Sequence, residues 1–462
     1  MIHCFRLSTL VVGIFVGSLL NCQLSHAETG WKAGAARAVI TPESPMWMSG
    51  YGSRNKPAEG TLTDLNAKVL VLEDECKRRA VLITLDLVGI DQALTRDICT
   101  SLAEKYGLAR HQIGICTSHT HTGPAVGKNL APLHYLQVDQ LQQKLIDDYA
   151  VKLRANVVAV VGEALEGLVP SQLAWGSGTA TFAVNRRNNK EAAVPEDRAA
   201  GTLVGPHDHD VPVLTVRDIE GNLTAVVFGY ACHSTVLNFY KWSGDYPGFA
   251  QIAFEEQHPG CQAMFFAGCG ADQNPLPRRT VQLARHYGRR LASAVEAVVL
   301  TSKMTPVLGS LKTSYQAIDL PLANLPTREE IAKDTASTNK YVAARARMLL
   351  EQLDDGQSLA TTYPYPIGVW QIGDDVQFIL LGGEVVVDYA VRLKAELKGT
   401  RTWVAGYAND VMAYIPSRRV LAEGGYEGGG AMVYYGLPTI WAPELENAIA
   451  AEVHRQLQPS SP

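Results

Sequence analysis

The sequence predicts an α/β protein of layered, mixed β-sheets flanked by helices. Three observations carry that prediction. Short apolar runs, as at 113–116, 263–267 and 376–381, alternate with longer stretches of helical periodicity. Turn residues punctuate the runs, as at Gly221-Asn222 between 211–216 and 224–231. The side chains able to do chemistry (His119, His233, Glu384 and those of 409–414) follow the carboxyl ends of predicted strands, the edge where open α/β sheets bind ligands.

The chain has 462 residues, 47% hydrophobic and 19% charged, with a formal net charge of -5. That suits a large globular core, and without a long basic run it excludes nucleic acid as a partner. Residues 1–27 read as a secretory signal. Arg6 supplies positive charge, 10–20 is mostly apolar, and Ser25-His26-Ala27 fits a cleavage site before Glu28. The apolar core is too short for a membrane span, and no later stretch is long enough. Lipid attachment at Cys22 is disfavoured by Asn21 before it. The expectation is an exported protein whose residues 28–462 form one catalytic domain, with no repeats and no low-complexity linker. Six cysteines remain after the signal, and no Cys-x-x-Cys spacing points to a zinc–thiolate site. Cys116 and Cys232 read as small buried hydrophobes.

In chain order, 38–42 is a short strand stopped by Pro42, and 68–72 and 80–87 are strands. Asp86 sits inside the second of these, as a site residue or as a cap for the next helix, 92–106. Strand 113–119 follows, then a long helix, 141–165, and a strand, 173–183. That strand opens into Asn185-Arg186-Arg187-Asn188-Asn189, either a solvated loop or an anion clamp. His207-Asp208-His209-Asp210 has metal-ligand residue types but reads as polar surface. The strand 224–231 leads to Cys232-His233-Ser234, and a helix begins at Gly248. A Gly-rich loop at 268–275, able to offer N–H groups to an anion, precedes the helix 280–300. A charged helical pair occupies 327–353. Strand 376–381 precedes Glu384 and a helix at 385–397. Strand 402–407 precedes Asn409-Asp410, and 443–457 is a terminal helix.

The chemistry concentrates at Cys116-Thr117-Ser118-His119-Thr120-His121-Thr122-Gly123-Pro124. On extended backbone a His-x-His pair directs both rings to one face. Two such imidazoles can share a metal, or divide the work between ligand and general base; the plainer reading is two polar loop residues. Two imidazoles, a carboxylate and a fourth oxygen donor would make a zinc shell with room for a water, whose pKa zinc lowers to about 7. His121 would then move protons. Taken alone, Glu384 is an acid at a helix N-terminus.

With these residues in view, the sequence resembles the neutral, non-lysosomal ceramidase family from about residue 31 to the 440s. The matching stretches are Ala38-Val39-Ile40-Thr41-Pro42, Met48-Ser49-Gly50-Tyr51, the Asp86 strand and Ser118-His119-Thr120-His121-Thr122-Gly123-Pro124. They continue with Cys232-His233-Ser234, Gly244-Asp245, Gly383-Glu384, 409–414 and Tyr426-Glu427-Gly428. The resemblance implies one zinc ion per chain, held by His119, His233, Glu384 and Tyr414. It implies His121 as acid/base and Arg186 on the substrate carbonyl or intermediate, with Asp86, Asn274 and Tyr426 as further substrate-binding positions. The implied reaction is hydrolysis of N-acylsphingosine to fatty acid and sphingoid base by a zinc-activated water, with peripheral membrane contact. Two departures stand out. Where the family has a Gly-Asp-x-Ser-Pro serine, this chain has Gly270-Ala271-Asp272-Gln273-Asn274-Pro275, which speaks against a serine nucleophile. The family's C-terminal immunoglobulin-like domain is expected to be absent. Hydrolysis of another N-acyl or ester bond, and a catalytically silent metal- or ligand-binding member, are the alternatives.

Overall fold

Along Asn66–Glu73 every second side chain belongs to a different core. Val69 and Val71 pack with the helical residues Ile98, Leu102, Val157 and Val161, while Leu70 and Leu72 pack with Trp370, Phe378 and Trp403 of a second sheet. The strand is therefore continuously apolar over 69–72. The computed structural model, which describes Met1 and residues 30–301 and 303–458, accordingly stacks helices, sheet, sheet and helices. The signal reading and its cleavage point lie outside the described residues, Met1 apart.

The first sheet runs Gln262–Ala267, Leu223–Tyr230, Asp210–Arg217, Val169–Thr179, Trp31–Val39, Asn66–Glu73, Arg79–Leu85, Ile113–Thr117. Its interior pairings are antiparallel and the pair at each edge is parallel. The second sheet runs Leu311–Pro321, Thr362–Ile372, Val376–Leu381, Thr402–Ala405. Helices Gln92–Tyr106 and Gln140–Glu166 cover one half of the first sheet's outer face, and Asp245–Gln257 and Val281–Thr301 the other. Asp388–Glu396 and Leu445–Leu457 cover the second sheet.

The two histidine-bearing strands sit at or next to opposite edges of the first sheet. They meet because residues 406–409, leaving the second sheet, hydrogen-bond to both edges. Gly406 N–H donates to Ala267 O at 3.1 Å, while Tyr407 O accepts from Thr117 N at 3.3 Å and Asn409 N–H donates to Ile115 O at 2.7 Å. The same segment holds the end of Val376–Leu381, through Ala408 N to Leu381 O at 3.1 Å and Tyr407 N to Gly383 O at 2.9 Å. Four strand ends thus converge on one point.

Several boundaries differ from the sequence expectation. The first strand is Trp31–Val39, not 38–42, because its register with Asn66–Glu73 carries it through an Ala- and Gly-rich stretch that has no strong apolar run. Strand 173–183 divides into Val169–Thr179 and Ala183–Asn185, and the helix expected from Gly248 starts at Asp245. Asp86 caps no helix; Asp91 does, its Oδ1 accepting from Leu94 N at 2.7 Å. Glu384 begins a two-residue strand, and the helix follows only at Asp388. The strands Leu311–Pro321 and Thr362–Ile372 were not anticipated. Pro364 and Pro366 interrupt the second, and much of the first is solvent-facing. The six cysteines at 76, 99, 116, 232, 261 and 269 are unpaired, and only Cys76 is exposed. Among the described residues no helix is long and apolar enough to cross a membrane.

Candidate metal centre

His119 is not on extended backbone. The strand ends at Thr117, and His119 adopts a φ of 56°, in the left-handed region that β-carbon-bearing residues seldom occupy. Thr120 then forms a parallel bridge with Ser234, His121 N–H donates to Ser234 O at 3.2 Å, and Ser234 Oγ donates to Ser118 O at 2.6 Å. The rings do share a face, but this bridge and the left-handed residue bring them there. His121 Nε2 lies 3.0 Å from His119 Nε2.

Two of the three buried imidazoles are locked. His119 Nδ1–H donates to Val88 O at 2.6 Å, and His233 Nδ1–H to Gly270 O at 2.7 Å. A carbonyl only accepts, so each proton sits on Nδ1 and each Nε2 is a lone pair aimed inward. Both lone pairs face Glu384 Oε2, at 3.3 Å from His119 and 3.2 Å from His233. Tyr435 O–H donates to Glu384 Oε1, while Oε2 is buried without a hydrogen-bond donor. Two imine nitrogens and an unsatisfied carboxylate oxygen meeting in a buried site are a donor set that fits a divalent metal. His121 differs, because its Nδ1 has no partner. The ligand atoms of His119, His121 and His233 all lie within 4.8 Å of one another.

Tyr414 closes the cluster. Its strand Tyr414–Ile415 pairs in parallel with Glu384–Val385, and its hydroxyl lies 3.4 Å from His233 Nε2. Arg186 Nη2 donates to the same hydroxyl at 3.1 Å, and its Nε donates to Glu427 at 2.7 Å. Burial lowers His233 to about 4, helped by Arg186, and burial with the neighbouring imidazoles takes His121 well below the usual range. Both rings are therefore neutral at physiological pH. Burial opposes ionisation of Glu384, and positive charge on His119 or His233 holds its carboxyl well below the ordinary value. Burial and Glu384 push the Tyr414 phenol up, while Arg186 pulls it back.

The cluster lies at the floor of a cleft of about 620 Å³ lined by His121, His233, Arg186, Tyr414, Asn274 and Tyr426, among others. Asn274 reaches the site because the loop expected at 268–275 ends in a short strand, Gln273–Pro275, paired with Ala183–Asn185. Its Oδ1 is 3.5 Å from Arg186 Nη1. The Tyr426 ring stands edge-on to Tyr414 with centroids 5.2 Å apart. Asp86 is not brought to the cleft; its Oδ2 accepts from Asn66 N at 2.9 Å. His207 and His209 stack on each other, and Asp208 and Asp210 are held by Lys394 at 2.7 and 2.8 Å, so that run serves as an ion-paired surface.

Sequence reasoning missed Tyr435, Tyr407, Glu427 and Tyr51 as site residues. Tyr407 stacks on His119 with ring centroids 4.1 Å apart, and Glu427 anchors both Arg186 and Arg187. Tyr51 lies against His121 with centroids 4.8 Å apart. Gly50 makes that approach feasible, since a β-carbon there would fall 2.5 Å from His121 Cγ on a backbone with φ of 95°.

Fold and site together define a mixed α/β protein with a buried histidine–carboxylate cluster at the floor of an open cleft. Residues 31–274 match the family model for neutral/alkaline non-lysosomal ceramidase, N-terminal. The chain belongs to that family. It is 24% identical to a neutral ceramidase of Pseudomonas aeruginosa, over 90% of this chain and 72% of that one. It is 26% identical to a neutral ceramidase of Drosophila pseudoobscura pseudoobscura, over 51% of this chain and 33% of that protein's length. The crystal structure of the Pseudomonas aeruginosa neutral ceramidase superposes with a TM-score of 0.69 at 21% identity, covering 94% of this chain and 76% of that one. A ceramidase structure complexed with C2 gives 0.70 at 19% identity. These two likenesses extend the shared fold beyond the segment matched by the family model.

Proposed function

We propose that this chain is an exported, zinc-dependent hydrolase of linear N-acyl amides, ceramide being the substrate class named for its relatives. The observation that carries the reading is the convergence of the two locked Nε2 lone pairs on the unsatisfied Glu384 Oε2. His119, His233, Glu384 and Tyr414 would hold one zinc ion. Metal ligands are ordinarily oriented by hydrogen bonds from behind, as His119, His233 and Glu384 are and His121 is not. When bound, zinc supplies Lewis acidity, polarising a carbonyl and lowering the pKa of a water to about 7.

The remaining steps belong to the chain. With the His119 Nε2 lone pair given to the metal, His121, whose Nε2 lies 3.0 Å from that atom, would be left as the neighbouring imidazole free to handle protons. His121, at the cleft floor and unlocked at Nδ1, takes a proton from the attacking water and passes it to the departing amine, returning to its neutral form. Arg186, held by Glu427, presents its guanidinium to charge developing on the carbonyl oxygen. Tyr426 and Asn274 flank that position.

The test is metal analysis of the purified protein, with hydrolysis of a fluorescent ceramide measured on the same sample with and without chelator. Stoichiometric zinc and chelator-sensitive turnover are expected. Zinc without turnover on ceramide or a panel of acyl amides and esters would favour a silent metal-binding member, and absence of zinc would overturn the metal reading.

A further inference from the structure

The cleft above the histidine cluster is unusually polar for a site meant to take a lipid. Leu276 is the one aliphatic side chain among its described lining residues, and four arginines face three glutamates. Three of those arginines are already matched. Arg186 and Arg187 share Glu427 at 2.7 and 2.6 Å, Arg187 also reaches Glu423 at 2.9 Å, and Arg278 grips Glu191 through bonds of 2.9 and 2.7 Å. Among the described residues, Arg279, which is exposed, has no carboxylate in ion-pair contact, although its charge acts from farther off on Asp245 and Glu191. Its Nη1 donates to Tyr51 Oη at 3.1 Å, and its guanidinium lies 5.4 Å from the Tyr51 ring centroid.

Arg279 is held in that place. Its backbone has a φ of 91°, a costly conformation for a residue with a β-carbon, and its N–H donates to Val236 O at 2.7 Å. Tyr51 is fixed as well, its O–H donating to Leu237 O at 2.9 Å. One tyrosine ring thus separates the unmatched guanidinium from His121. His121 is the group that serves the departing amine, whereas Arg186 stands on the carbonyl side. An anion bound by Arg279 would therefore belong to the amine half of the substrate.

We propose that the chain takes N-acyl amides whose amine portion carries an anionic group, a carboxylate or a phosphate, and that Arg279 binds it. This rests on the amidase reading of the site. A guanidinium offers such a group paired, charge-assisted hydrogen bonds, which a neutral amide cannot use.

The experiment compares matched pairs on the metal-loaded full chain: N-dodecanoylglycine and N-dodecanoyl-γ-aminobutyrate against their methyl esters, and ceramide 1-phosphate against ceramide. Binding is measured by calorimetry and amide hydrolysis in parallel. The charged member of at least one series should bind about ten-fold or more tightly than its neutral partner, and the series that does so identifies the anion. Arg279→Gln should remove most of that preference and Arg279→Lys should keep part of it, with melting temperatures checking the fold. Equal binding within every pair, or a preference untouched by Arg279→Gln, overturns the proposal. An Arg279-dependent preference without cleavage would uphold it while sinking the amidase reading. Cleavage of ceramide with no charge preference would do the reverse.

Discussion

Glu384 and Tyr414 are register partners in a parallel two-strand ladder, so their side chains leave neighbouring strands toward the same face. Backbone bonds fix the pair: Glu384 N–H donates to Ala413 O at 2.8 Å and Val386 N–H to Ile415 O at 3.2 Å. The histidines are set in the same manner by the Thr120–Ser234 bridge. Each half of the site is thus positioned by a parallel pairing only one or two residues long.

The Glu384 carboxylate is oriented by Tyr435, which occupies one oxygen and leaves the other for a cation. Tyr435→Phe should weaken zinc binding about 10- to 100-fold while the fold is retained. Competition with a chromogenic chelator measures it, and unchanged affinity would show that the hydroxyl plays no orienting part.

His121 and His119 should separate by phenotype. His119→Ala should lose both zinc and activity. His121→Ala should keep stoichiometric zinc and lose about 10²- to 10⁴-fold in kcat. Loss of zinc from His121→Ala would instead make it a ligand, the third imidazole of a three-histidine site.

Gly50→Ala places a methyl group against the His121 ring on a left-handed backbone. We expect a destabilisation of more than about 1 kcal/mol, and lowered turnover with zinc content intact. Urea unfolding together with metal analysis would check both, and a variant as stable and active as the parent would refute the packing argument.

Asp410 carries a pH signature away from the cluster. Burial raises its carboxyl to about 7, although Tyr363 O–H donates to it at 2.7 Å. An ordinary aspartate titrates near 3.9. The folded state therefore binds this proton more tightly than the unfolded one. The resulting stability is complete below about pH 4 and is lost as pH rises through about 7. Asp410→Asn should flatten the decline of the urea midpoint between about pH 4 and about pH 7; an unchanged slope would assign that decline to other groups.

Much of the site was legible because chemistry sat at strand ends, and strand ends can be read from apolar runs. The strands expected to end at 119 and 231 end at Thr117 and Tyr230, and His119 and His233 follow within three residues. Tyr435 went unmarked and Glu427 was seen only as part of a matching stretch, without a role, since a tyrosine in a short helix and a glutamate in a glycine-rich turn have no periodicity that marks them. Their roles depend on contacts with Glu384 and Arg186, far away in sequence. The second sheet was half-missed for a similar reason. Leu311–Pro321 is stabilised by an eleven-residue register with Thr362–Ile372, and pairing of that kind outweighs the prolines that argue locally against a strand.

The segment at 406–409, which ties both edges of the first sheet together, also governs when the site can come into being. Synthesis delivers both histidine loops long before the residues that fasten them and before Glu384 itself. A nascent chain reaching only the first sheet holds imidazoles without their carboxylate and edges without their clasp. Contacts so distant along the chain form late. Any ion would therefore be captured as the closing event of maturation, after the polypeptide has been completed and, if exported unfolded, after it has crossed the membrane.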